Sequence, residues 1–368
     1  MNSTDKIRRV MWGRAERPLT VCVPWDCGHH CPFCTTKAEY LTRYPASRLD
    51  YFFTRQKESI RRILAYNFVD EIVLTGGEPL ADIPRLDELL AVIRDECRFE
   101  GKVYINTSLN FDDAKARAAL SFLQEAARRE SVSGISVSLP YADVRMMNAR
   151  GFALMMRVRK ECALPMCWLR VNSVVTGNEN EDQIRSFVHD VMGRDGCGGG
   201  DEWLGSINLR KDYTTCNQAN LNDCFDPTVK TLMGMKDLTY WGSGGCLVCR
   251  NDVFVPNDCG YTRIVHHRGI ESTSLRYGDL LVINDLVIKQ DGEIRHDWGE
   301  GTSLPKRVMD AFCEKTDPAE IEWKWKNPLF SMRLAAAAPL NEERTSHSCH
   351  AQRVRIYDSR YATKERCG

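Results

Sequence analysis

No apolar run in these 368 residues approaches the ~20 that a membrane-spanning helix requires. The opening MNSTDKIRRVMWGRAERP holds no apolar stretch that could act as a signal sequence. An excess of one charge is missing as well: 50 basic residues balance 50 acidic ones. No global field therefore draws the chain to nucleic acid or to a membrane surface. Internal repeats and low-complexity segments are also lacking. Together these absences lead us to expect a cytoplasmic chain, where thiols stay reduced. Cysteine, by contrast, is plentiful, with sixteen residues. In a reducing compartment that favours metal ligation for some of them over a disulfide framework. Cys97, Cys162, Cys167 and Cys313 lie in amphipathic or apolar stretches and read as small hydrophobes.

Strand-like and helix-like segments alternate from residue 19 to residue 211. LTVCVPW (19–25), VDEIVLT (69–75), KVYINTS (102–108), GISVSLP (134–140), CWLRVNSVV (167–175) and WLGSINLR (203–210) are short apolar or β-branched runs. Between them, apolar residues recur at helical spacing: Phe53, Ile60, Ile63 and Leu64; Leu86, Leu89, Leu90 and Ile93; Ala116, Ala119, Leu120 and Leu123; then Phe152 to Cys162; then Ile184, Phe187, Val188 and Val191. Six β–α repeats with apolar strands predict a parallel sheet covered by crossover helices, and functional residues at the C-terminal strand ends. The expected fold is α/β, a partial (β/α)6 TIM-like barrel with a smaller cysteine-containing C-terminal extension. Its expected divisions are an N-terminal segment (1–18), the barrel (19–211), the extension (212–340) and a tail (341–368). Within the extension, YTRIVHHR and DLLVINDLVIKQDGEIRHDW read as strands, the latter with a hairpin turn at QDGE. LPKRVMDAFCEK reads as a helix.

Cys27, Cys31 and Cys34 fall within eight residues of one another, directly after the first strand. A structural zinc site closes with four ligands, and His29 or His30 could supply the fourth. A cubane iron–sulfur cluster is the other reading, because three thiolates can hold three irons and leave the fourth open to an exogenous ligand. Gly76-Gly77-Glu78-Pro79 ends the second strand. Its two glycines permit a sharp turn and leave carbonyls free to accept from an ammonium group.

The Cys-x3-Cys-x2-Cys spacing, with Phe33 before the last cysteine and Gly-Gly-Glu-Pro at the next strand end, resembles the radical S-adenosylmethionine (SAM) superfamily over roughly residues 19 to 211. The resemblance implies that Cys27, Cys31 and Cys34 ligate a [4Fe–4S] cluster and that SAM chelates the open iron. Reductive cleavage of SAM then gives methionine and a 5′-deoxyadenosyl radical, which abstracts hydrogen from the substrate. It also implies cofactor contacts at Phe33, Gly76, Gly77, Glu78 and Pro79, and at Ser138 near the SAM ribose or carboxylate. Arg170 and Asn172, two apart on the fifth strand, share a face, and Arg170 offers a fork suited to a carboxylate. Val175 and Gly177 match the family's adenine-contacting stretch, where Ser173 replaces a glycine. Asn106, Asn208 and Arg210 could also reach cofactor or substrate.

Cys246, Cys249 and Cys259 loosely resemble the auxiliary-cluster extensions of some members of that superfamily. Cys216, Cys224, His266 or His267 could add a ligand, and a second iron–sulfur cluster, zinc or no metal all stay open. About eighteen residues precede the first strand, too few for a separate peptide-binding domain. The expected partners are a small-molecule or nucleotide-like substrate and an electron donor such as flavodoxin or ferredoxin. Modification of a peptide or a nucleic-acid base is the alternative, and a zinc-binding interaction module is the rival of another class.

Overall fold

The computed structural model describes residues 9–12, 17–25, 27, 34, 46–67, 69–141, 149–162, 169–175, 179–192, 204–211, 227–244, 251–257, 263–267, 274–277, 280–283, 285–296 and 303–304. Strand β1 (Arg9–Trp12) precedes six alternating pairs: β2 (Pro18–Val23), α1 (Leu49–Leu64), β3 (Glu71–Gly76), α2 (Ile83–Ala91), β4 (Lys102–Thr107), α3 (Asp113–Arg128), β5 (Gly134–Tyr141), α4 (Ala149–Glu161), β6 (Leu169–Val175), α5 (Glu181–Met192), β7 (Leu204–Lys211) and α6 (Pro227–Met233). Next come β8 (Leu238–Gly244), β9 (Asn251–Pro256), β10 (Arg263–His267), β11 (Ser274–Tyr277), β12 (Leu280–Ile283), β13 (Leu286–Ile288) and β14 (Ile294–Arg295). The expected helix over residues 305–315 and the tail at 341–368 lie outside the described residues.

Strands β2 to β7 are parallel neighbours in chain order, joined by α1 to α5, as the repeat pattern predicts. Among the described residues the sheet does not close on itself, so the architecture is an open, partial barrel. Its core is the layer between strands and helices. Leu19, Val21 and Val23 of β2 share one cluster with Ile60 and Ile63 of α1, all fully buried. The predicted stripes Leu86/Leu89/Leu90/Ile93 and Ile184/Phe187/Val188/Val191 are buried in the same cluster. Asp82 and Asp112 cap α2 and α3, accepting from the N–H groups of Arg85 (3.2 Å) and Lys115 (2.9 Å).

The six-stranded unit is extended at both edges by later chain. Strand β10 adds parallel to β7, and β9 and β8 follow antiparallel. At the other edge β13 adds parallel to β2, with β14 hairpinned onto it through the QDGE turn. One eleven-stranded sheet therefore runs from β14 to β8. Residues 9–12, which carry no sequence pattern, pair as β1 with β12 in a separate three-stranded sheet.

The β13–β14 turn is locked to α1. Ser59 donates to the carbonyl of Gly292 (2.6 Å), and Gln56 donates to the carbonyls of Cys22 (2.6 Å) and Lys289 (3.3 Å). Gly292 has φ +79°, and a Cβ there would lie 2.8 Å from the Arg55 backbone, so only glycine fits.

At the N-terminal strand ends the contacts are structural. Arg17 forms a two-pronged pair with Asp70 (2.5 and 2.6 Å). Arg94 donates to the carbonyls of Phe99 (2.6 Å), Gly101 (2.8 Å) and Ser131 (3.1 Å). Stability is thus concentrated at one end of the barrel and the chemistry-bearing residues at the other.

Candidate cofactor site

Three adjacent strand ends are tied into one unit. Beyond β2, Trp25 is 5% exposed, packs edge-on against Phe53 of α1, and donates its indole N–H to the carbonyl of Glu78 (2.9 Å). Strand β3 ends at Gly76, whose φ of +104° is a conformation that an L side chain rarely adopts. Gly76 and Gly77 are half-buried, and the chain then plunges inward at Glu78 and Pro79. Glu78, 2% exposed, accepts from the backbone N–H of Leu80 (3.2 Å) and from both the backbone N–H and the hydroxyl of Ser108 (2.7 Å each). Ser108 directly follows β4, so one carboxylate clamps β3 to β4 while its own carbonyl holds the base of the cysteine loop.

This arrangement refines the expectation for the motif. The side chains of Glu78 and Pro79 are committed to the fold, so the part of the motif open to a cofactor is the backbone at Gly76 and Gly77. Sequence reasoning misses Trp25 and Ser108. For Trp25 a signal exists: an indole in a buried turn needs an acceptor for its N–H. For Ser108 there is none, because its partner lies thirty residues away.

Cys27 is half-buried and Cys34 exposed, both beyond the C-terminal end of β2. Cys31 and Phe33 lie outside the described residues, as do Gly177, Cys216, Cys224, Cys246, Cys249 and Cys259. Of the thiols assigned to packing, Cys167 and Cys313 also lie outside them, and the two that are described behave as packing residues. Cys162 is 3% exposed and burial pushes its thiol up to about 11; burial also raises that of Cys97.

The barrel's inner face carries the remaining polar candidates in register. Asn106, Ser136, Arg170, Ser206 and Arg263 form one row across β4, β5, β6, β7 and β10. Ser138, Asn172 and Asn208 form the next row towards the site. Asn208 donates to the side-chain oxygens of Asn172 (2.9 Å) and Ser206 (3.3 Å), which fixes the amide orientations. The Arg170 guanidinium sits 4.0 Å over the Tyr104 ring. Val175 departs from expectation. It alternates with the inner-face residues of β6 and packs in the core at 5% exposure, so only its backbone could meet a ligand. Ser173, in place of the family's glycine, is buried on that same outer side.

Residues 18–138 match the family described as "4Fe-4S single cluster domain". That stretch begins with β2 and ends at Ser138, enclosing both motifs. A 182-residue stretch, 48% of the chain, is 28% identical to the Bos taurus protein "Molybdenum cofactor biosynthesis protein 1". Each of these similarities covers less than half of the chain. The match covers 27% of the bovine protein, so the chain spans about a quarter of that relative's length. Among solved structures, "Native anSMEcpe with bound AdoMet and Cp18Cys peptide" and a histidine-tagged anSMEcpe with bound AdoMet both overlay with a TM-score of 0.42 at 12% identity. Each covers 82% of this chain, with 81% and 82% of their own lengths matched.

The [4Fe–4S] cluster and SAM that the sequence motifs imply would draw on these described residues. Cys27 and Cys34 follow β2 in the chain, and the glycine turn at Gly76 ends its neighbour β3. Ser138, Asn172 and Asn208 lie in one row across β5, β6 and β7. No described helix is long and apolar enough to cross a membrane.

Proposed function

We propose that this chain is a radical SAM enzyme acting on a small-molecule or nucleotide-like substrate. When bound, the cluster and SAM supply a one-electron cleavage that yields a 5′-deoxyadenosyl radical, which takes a hydrogen atom from substrate. The observation that carries the proposal is the clamp of Trp25, Glu78 and Ser108. It ties the chain beyond β2, the glycine turn after β3 and the end of β4 together. Cys27, Cys31 and Cys34 would hold the cluster. The Gly76–Gly77 carbonyls would accept from the SAM ammonium group. Ser138, Asn172 and Arg170 face the same interior and would orient ribose and carboxylate. Exclusion of water from the site would suit chemistry in which a stray solvent encounter ends turnover.

The bovine relative's printed role in making a cofactor supports a small molecule over a macromolecule. A cytoplasmic setting and an electron donor such as flavodoxin or ferredoxin complete the proposal. The test is anaerobic reconstitution with iron and sulfide, followed by SAM and a strong reductant. The wild-type chain is expected to be brown and to release 5′-deoxyadenosine. A triple Cys27→Ala, Cys31→Ala, Cys34→Ala variant is expected to be colourless and inactive while unfolding at the same urea concentration. A colourless wild type carrying stoichiometric zinc overturns the proposal in favour of an interaction module.

A further inference from the structure

The row Ser138, Asn172 and Asn208 crosses β5, β6 and β7 and continues to Val265 on β10. Alternation fixes its face. Val171, Ile207, Leu209 and Ile264, its neighbours along the strands, are fully buried in the core beneath the helices. The four members of the row are half-buried on the other side of the sheet, and none of them carries a charge.

Hydrogen-bond accounting singles out the two amides. Asn208 Nδ2 has two hydrogens and donates to Asn172 Oδ1 and to the Ser206 hydroxyl oxygen. The bond between the amides is single. Asn172 Nδ2 does not return one to Asn208 Oδ1, as a closed amide dimer would, and neither residue has a further partner among the described residues. A donor group and an acceptor are thus left over on directly opposed residues of adjacent strands, whose Cα atoms stand about 4.8 Å apart. Any single N–H···O bond between two carboxamides leaves this remainder, so the count does not depend on which way the couple is turned. The sheet itself does not need the bond, because β6 and β7 are already paired from Leu169 and Leu204 to Val175 and Lys211.

A donor beside an acceptor is met by an acceptor beside a donor. A carboxylate or phosphate offers acceptors only, and an ammonium group donors only, so neither completes the couple. The N–H and C=O of a cis amide do, and a lactam or nucleobase ring locks them side by side. Val265, next in the row, gives such a ring an apolar neighbour. We infer that the Asn172–Asn208 couple binds the cis-amide edge of a lactam or nucleobase ring in the substrate. The inference rests on the radical SAM proposal for its assignment of the site to substrate; the donor–acceptor match stands without it. Asn172 Nδ2 carries two hydrogens, so a contact with SAM spends one and leaves the other for the ring.

The test uses the full chain, reconstituted anaerobically and saturated with SAM. Calorimetric titration with uracil and, separately, hypoxanthine probes a single-ring and a fused-ring lactam. The counter-probe is 1,3-dimethyluracil, which has no ring N–H. At least one lactam is expected to bind the wild type at a single site, and 1,3-dimethyluracil to bind roughly tenfold or more weakly. Asn208→Asp keeps the shape without the N–H group and is expected to weaken the lactam by a similar factor, roughly tenfold or more. Arg128→Gln, on the exposed surface of α3, is expected to change nothing. Should Asn208→Asp fail to fold, Asn208→Ser carries the comparison. Lack of binding of either lactam to the wild type, wild-type affinity in Asn208→Asp, or equal affinity for 1,3-dimethyluracil overturns the inference. SAM affinity that falls in Asn208→Asp while lactam affinity holds gives the couple to the cofactor and overturns it as well. A wild type that releases 5′-deoxyadenosine but binds neither lactam overturns this inference alone. One that binds a lactam through Asn208 yet releases none overturns the radical SAM proposal and leaves the lactam site standing.

Discussion

Replacing Glu78 with Ala removes an acceptor that three donors share. The lost bonds run to the Leu80 N–H, the Ser108 N–H and the Ser108 hydroxyl, and the carboxylate is 2% exposed. Hydrogen bonds to a charged group are worth about 1.5–3 kcal/mol each, so the gross loss over three bonds is about 4.5–9 kcal/mol. Removing the carboxylate also removes its own burial cost, and water entering the space re-pairs one or two donors. The net expectation is about 2–4 kcal/mol of destabilisation, read as a shift of the urea midpoint in the apo chain. Glu78→Gln keeps one acceptor oxygen but turns an N–H₂ towards a donor, and should cost about 1–3 kcal/mol. Because the same residue's carbonyl holds Trp25, the cysteine loop should loosen with it. SAM affinity of the reconstituted Ala variant should fall at least tenfold, beyond what the stability change explains. A Glu78→Ala chain with an unshifted midpoint and intact SAM affinity would refute the clamp.

Gly76→Ala places a side chain at φ +104° and should cost about 1–2 kcal/mol by urea unfolding while lowering 5′-deoxyadenosine yield. Gln56→Ala strips the buried donor shared by the Cys22 and Lys289 carbonyls, and a loss of about 2–3 kcal/mol is expected, with wild-type SAM cleavage per folded molecule. The Cys162 thiol, raised to about 11 by burial, should resist alkylation at pH 8 in the folded chain while Cys34 reacts. The sign for stability follows: the folded state favours the protonated thiol, so this contribution is full below the unfolded thiol's ordinary range near 8.5. It is lost as pH rises towards 11.

What is legible in the sequence is what short-range pattern encodes. All six barrel strands can be read because each buries a β-branched run, and the helices because their apolar residues repeat every three or four positions. The glycine turn is legible for the same local reason. Long-range pairing is not. Nothing in DLLVINDLVIK says that Leu286–Ile288 lies against β2 rather than beside its own neighbours, since parallel pairing leaves no mark on the intervening chain. Gln56 and Ser59 read as the polar face of a surface helix, yet both are buried because the β13–β14 turn covers them. In the site, the thiols and glycines are evident as a motif. Ser108 and the Asn172–Asn208 couple are not, because each acquires meaning only from a partner on another strand. The burial of the Val175 side chain follows from strand alternation, which a motif alone does not convey.

The latch between α1 and the β13–β14 turn joins positions 233 apart in the chain. On the ribosome the six-stranded unit is complete once β7 has emerged, but β2 then still presents an open edge. That edge leads straight into the thiol-bearing loop. A truncation before Leu286 should therefore leave that edge unpaired and give a chain prone to edge-on self-association.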